Sequence, residues 1–101
     1  MTTKTHPYDT AAFLETDADI SAYMNEALET GDAAFIAHAL GVVARARGMT
    51  QIARDAGLSR ESLYRALSSE GNPELSTLLR VVKALGLRFD VAIAHESPPP
   101  V

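Results

Sequence analysis

The chain has 101 residues, 47% of them hydrophobic, with no cysteine and a formal net charge of −4. That length supports one domain with one modest core, and the apolar content argues against a disordered chain. The lack of cysteine excludes a disulfide framework and a thiolate site, and it fits a reducing compartment.

Residues 1–8 read as a loose tail, small and polar and broken by Pro7. They lack the apolar run of a signal peptide, and no stretch approaches the ~18 apolar residues of a membrane span, so a soluble cytoplasmic protein is expected. Asp9 can cap a short helix over Thr10 to Glu15, with Phe13 and Leu14 on its apolar side. A second helix is expected from Asp19 to Glu29. Its stripe is Ile20, Tyr23, Met24, Ala27 and Leu28 at helical spacing, with Asp17, Asp19, Glu26 and Glu29 outside. Gly31 breaks it, and Asp32 caps the next helix, Ala33 to Arg47. Phe35, Ile36, Ala39, Leu40, Val43 and Ala46 form one face of that helix. His38 lies between them as an exposed spacer with no partner at ligand spacing. Gly41 costs about 1 kcal/mol in a helix relative to alanine, which points to a close helix contact. Arg45 and Arg47 either stabilise the helix end or contact phosphate; Gly48 closes the helix.

Met49 to Ser68 organises the rest. Ile52, Ala53, Ala56, Leu58, Leu63, Ala66 and Leu67 are its apolar and small positions. A helix over Thr50 to Ala56 stops at Gly57, which adopts the left-handed conformation at no steric cost. Ser59 caps a second helix from Arg60 to about Ser68, with Glu61 at its positive end. Arg60, Glu61, Tyr64 and Arg65 then face outward, a polar face suited to the major groove of duplex DNA. An ordinary helical hairpin with solvated arginines is the bland alternative.

Asn72 as cap and Pro73 in the first turn start the next helix. Leu75, Leu78, Leu79, Val82 and Leu85 form its buried stripe, and Gly86 ends it. Leu87, Phe89, Val91 and Ile93 then alternate with other residues in a strand pattern. A lone strand needs a partner, most simply the same strand of a second subunit across a two-fold axis, or else another protein's sheet. The tail from His95 carries Pro98-Pro99-Pro100 and reads as disordered or polyproline-like.

Charge is unevenly placed. Residues 1–32 hold seven acids against one lysine, whereas residues 45–65 hold five arginines against two acids. The basic patch coincides with the two-helix stretch, which matters more for nucleic-acid binding than the acidic total.

The chain resembles the HigA-type antidote proteins of bacterial toxin–antitoxin modules, within the wider Cro/repressor-like group. The resemblance covers nearly all of residues 8–94. It is carried by YDTAAFLETDADISAYMNEALETGD, AHALGVVARARGMTQIA, GLSRESLYRAL, GNPELSTLLRVVKALGL and the closing strand. It implies an all-α, Cro/repressor-like helical bundle with a helix-turn-helix, an N-terminal helical extension and one short C-terminal β-strand. The corresponding segments are a tail 1–8, an acidic extension 9–31, a helix-turn-helix domain 32–94 and a tail 95–101. The implied partners are an inverted-repeat DNA operator and a basic RelE/HigB-like ribonuclease toxin, with repression of the chain's own operon.

On that resemblance Gln51 bonds a phosphate, and Ser59 either donates likewise or only caps. Arg60 and Arg65 are placed to pair with guanines, while Glu61 either accepts from a cytosine or orients Arg65, its i+4 neighbour. Tyr64 contacts a thymine methyl and phosphate or packs against the body. Asp9, Glu15, Asp17, Asp19 and Glu26 are the expected toxin-facing acids, an acidic face set against a basic partner. Leu87, Phe89, Val91 and Ile93 are the expected dimer contacts. No cofactor or metal is expected, and no nucleophile, base and orienter assemble into an enzyme site. The alternatives are a stand-alone repressor without a toxin and a pure protein-interaction module.

Overall fold

The helix boundaries are set by short side chains and glycines at the ends of each apolar run. A computed structural model describes residues 14–68 and 70–94, which form five α-helices and no strand. Helix α1 (Asp17–Glu29) opens with a reciprocal cap. The Asp19 N–H donates to Thr16 Oγ1 at 3.0 Å, and the Thr16 N–H donates to Asp19 Oδ2 at 3.1 Å. The Thr16 backbone N–H, then its hydroxyl, favour the ionised carboxylate and hold the Asp19 pKa below its ordinary value. Helix α2 (Ala33–Arg47) starts at Asp32, whose carboxylate accepts from the N–H groups of Ala34 and Phe35. Helices α3 (Met49–Ala56), α4 (Arg60–Ala66) and α5 (Leu75–Ala84) complete the chain.

Packing makes α3 the hub. It lies against α2, α4 and α5, while α1 covers the other side of α2. The core joins Ile20 and Met24 of α1 to Leu40 and Val43 of α2. Ile52 of α3, Leu63 of α4, and Val81 and Leu85 at α5 complete it. No polar or charged residue among those described is buried, so burial of apolar area is the interior's stabilising term. A Cβ at Gly41 would stand 3.3 Å from the Leu67 carbonyl oxygen. The close contact expected at that glycine is therefore between α2 and the end of α4.

Several expectations are corrected. The strand over Leu87–Ala94 is absent, because the described residues offer no second strand for it to pair with. Leu87 is half-buried, Phe89 is 40% exposed, and Val91 and Ile93 are 95% and 82% exposed. The chain leaves the body there. Helix α5 begins at Leu75 with Glu74 as its extended cap residue, two positions later than expected from Asn72-Pro73. The preceding loop runs close against α4: a Cβ at Gly71 would come within 2.6 Å of the carbonyl oxygens of Arg65 and Ala66. The buried face of α5 is Val81, Val82 and Leu85, whereas Leu75 and Leu79 are exposed. Apolar residues cover more than half of that helix, and contact with α3 selects its rotation. Phe35 and Ala46 are likewise exposed near the ends of α2, whose middle is enclosed by α1 and α3. Leu28 of α1 is also exposed, one turn beyond buried Met24. The helix expected over Thr10–Glu15 lies mostly outside the described residues; Leu14 and Glu15 are not helical.

Leu63 is fully buried at the meeting point of α4 with the core. Leu63→Ala should lower unfolding stability by about 2–5 kcal/mol, measured by urea denaturation. A loss well under that range would mean α4 is not held by this side chain.

Candidate nucleic-acid interface

The turn between α3 and α4 comes from Gly57 and Ser59. Gly57 has φ 75° and ψ 32°, left-handed values that favour glycine. The Leu58 N–H donates back to the Ala53 carbonyl at 2.9 Å, which caps α3 and turns the chain across it. Ser59 is extended, and its Oγ accepts from the Ser62 N–H at 3.0 Å while donating to Ser62 Oγ. Its hydroxyl is thus engaged in capping.

With Leu63 inward, Arg60, Glu61, Tyr64 and Arg65 are all exposed on the outer side of α4. The structure brings these four together on one helix. The Arg60 Nη2 donates to the Tyr64 hydroxyl at 3.0 Å, and the guanidinium carbon lies 5.4 Å from the Tyr64 ring centroid. Glu61 forms no salt bridge with Arg65 among the described residues. An exposed i, i+4 pair gains only ~0.2–0.5 kcal/mol, too little to hold the two side chains together. Arg65 instead lines a concavity of about 420 Å³ with Ser62, Glu70, Gly71, Asn72 and Thr77. Gln51 is exposed at the start of α3, where its Nε2 donates to Asp55 Oδ1 at 2.9 Å.

An ion pair ties the acidic extension to the end of α2. Arg47 Nη2 donates to Asp17 Oδ1 at 2.9 Å, joining the end of α2 to the start of α1. A possible phosphate contact and a possible toxin contact are therefore each other's partners. Arg45 is exposed beside Tyr23: burial pushes the Tyr23 pKa up, and the nearby Arg45 charge opposes that rise. Glu15, Asp19 and Glu26 are exposed, with Asp19 committed to its cap; Asp9 lies outside the described residues. Phe89 lines an apolar hollow of about 210 Å³ with Leu28, Ile36 and Leu78, while Val91 and Ile93 project beyond it.

Two contacts escaped the sequence reading although spacing signals both: Arg60–Tyr64 and Gln51–Asp55 each lie at i, i+4. The approach of the Arg80 guanidinium to Gly57, where a Cβ would stand 3.7 Å from its Nη1, had no local signal. Among the described residues no cluster of three or more His, Cys, Asp or Glu could hold a metal ion, and no helix is long and apolar enough to cross a membrane.

Residues 4–93 match the family model described as "Probable addiction module antidote protein". The chain is 50% identical over 91 residues to an uncharacterized protein of Haemophilus influenzae (strain Rd), covering 90% of this chain and 94% of that protein. No solved structure matches the chain.

Gly71 supplies a test of how the outer face is held. Gly71→Ala forces a Cβ against two carbonyl oxygens of α4. It should lower the melting temperature and shift the amide resonances of Arg65 and Ala66 in particular. Unchanged values at both would contradict the close approach.

Proposed function

This chain belongs to the family of probable addiction module antidote proteins, and we propose that within it the chain is a HigA-type, DNA-binding antitoxin. It represses its own operon and neutralises a RelE/HigB-like ribonuclease toxin in the cytoplasm. The observation that carries the DNA half is the exposed polar face of α4, raised by the Gly57 turn and locked by buried Leu63. The α3–α4 unit acts as a helix-turn-helix. α4 enters the major groove, where Arg60 and Arg65 each present a planar fork that matches the two acceptors of guanine. Gln51 exchanges its bond to Asp55 for a backbone phosphate, and Arg45 adds a second phosphate contact. These contacts fix the register, whereas the base edges supply sequence preference.

The toxin half rests on the family and on charge. Glu15, Asp17 and Glu26 display negative charge on or beside α1, which suits a basic partner and speeds encounter with it. The helix also has a structural duty, since Ile20, Met24 and Ala27 are buried. The acids outside and the apolar stripe inside are thus compatible roles of one element.

A homodimer completes the reading. One α4 reads one half-site, and two copies with helices about 34 Å apart match an inverted repeat. Val91 and Ile93, which the single chain leaves bare, pair with the same segment of the second copy across a two-fold axis.

One experiment with two arms tests both halves. Arg65→Ala should weaken operator binding and relax preference at one base pair, by about 1–3 kcal/mol of discrimination. Glu15→Gln and Glu26→Gln together should weaken toxin neutralisation while sparing operator binding. Wild-type operator affinity in the first variant would sink the readout assignment. Full neutralisation by the second would sink the toxin-facing assignment. Deleting the whole extension is less informative, because it also removes part of the core.

A further inference from the structure

Two arginines near the candidate interface are held in chemically different ways. Arg47 is paired with a carboxylate, Asp17, which offsets its charge. Arg60 is held by a neutral group. Its Nη2 donates to the Tyr64 hydroxyl at 3.0 Å, and its guanidinium carbon stands 5.4 Å from the ring centroid. No carboxylate forms a salt bridge with it among the described residues. Adjacent Glu61 follows it directly in the helix, a spacing whose side chains do not face each other.

We infer that Tyr64 is a positioning residue for Arg60: it fixes the direction of the guanidinium on α4 without neutralising it, so that Arg60 reads a particular base pair. This deepens the proposed DNA readout and rests on it. Arg60 is the first residue of α4, and Tyr64 stands one helical turn later on the same outer face. A long arginine side chain samples many rotamers in water and loses that freedom on binding. The phenol oxygen and the ring face together restrict it beforehand, through a hydrogen bond and a cation–π contact. A carboxylate would hold the arginine as well, but it would also repel the phosphate backbone and have to be displaced. A phenol does neither. One of the five N–H donors of Arg60 is engaged by Tyr64, and the others remain for a base edge. Tyr64 itself then contributes through Arg60 and not by a thymine-methyl contact of its own.

The test is a double-mutant cycle on the full chain, with duplex DNA from upstream of its gene as the probe. Tyr64→Phe removes the hydroxyl and keeps the ring, whereas Tyr64→Ala removes both. Specific binding should fall about 3-fold in the first and about 10-fold in the second, the range expected for losing the prior ordering of one long side chain. Substituting the base pair read by Arg60 should abolish those differences. In an Arg60→Ala background, Tyr64→Ala should then cost less than about 2-fold, since coupled residues are not additive. A full penalty retained in that background overturns the inference, because Tyr64 would then act on DNA directly. Nitrogen relaxation of the Arg60 Nε–H in the free protein gives an independent readout. Greater mobility in both Tyr64 variants is expected, and mobility equal to wild type overturns the inference even if DNA binding stands. A wild-type chain with no sequence-specific binding overturns the DNA reading and this inference together.

Discussion

The left-handed turn at Gly57, closed by the bond from the Leu58 N–H to the Ala53 carbonyl, fixes the relation between α3 and α4. Everything at the candidate interface depends on that relation. If α4 crossed α3 at another angle, Leu63 could not reach the cluster around Ile52 and Val81, and the four polar residues on its far side would no longer share an outward face. The same turn therefore settles an energetic matter and a functional one. Buried leucine holds the helix, and the residues a half-turn away are left free to meet a partner. Gly71 acts as a second clamp, bringing the following loop against the carbonyl end of α4. A helix of seven residues could not hold its shape alone, and these neighbours supply what its length does not.

Charge is separated along the chain between the acidic α1 and the arginine-bearing stretch of residues 45–65. The acidic extension is not an appendage: its helix inserts Ile20 and Met24 into the common core and ties Asp17 to Arg47. That ion pair is exposed and contributes about 0–1 kcal/mol, so it orients α1 against α2 more than it stabilises the fold. It also removes one arginine from the basic patch. Among the described residues the other arginines of the patch form no ion pair, and two of them, Arg60 and Arg65, stand on the outer face of α4. An acidic protein can on this account bind DNA through a short basic face, with the acids held on a separate helix that suits a basic toxin.

Local chemistry made much of this legible. Asp32, Gly48, Gly57 and Ser59 act within a few residues of where they stand, and the boundaries they imply agree with the helices to within a residue. Rotation of α5 was not legible. Leu75, Leu78, Leu79, Val81, Val82 and Leu85 surround so much of the helix that periodicity admits several buried faces, and only α3 decides among them. The late start of α5 and the close approach of Gly71 to α4 are tertiary facts that no local cap signal carries. The alternation from Leu87 to Ile93 is a real pattern with no partner inside the described chain, and a strand exists only where its hydrogen bonds have one. At the interface, the residue types on α4 were readable, but their pairing was not. Glu61 was the obvious neighbour for an arginine by charge, whereas Tyr64 holds Arg60 by reach and ring geometry.

The most direct measurement is a pair of chemical-shift maps on isotope-labelled protein, one titrated with duplex DNA from upstream of its gene and one with the product of the adjacent gene as candidate toxin. The account predicts that DNA perturbs Gln51 and the Arg60–Arg65 segment with an affinity that falls as salt rises, and that toxin perturbs the outer face of α1. DNA-induced shifts centred elsewhere, such as on Arg80 and Lys83 of α5, with α4 unaffected, would contradict it.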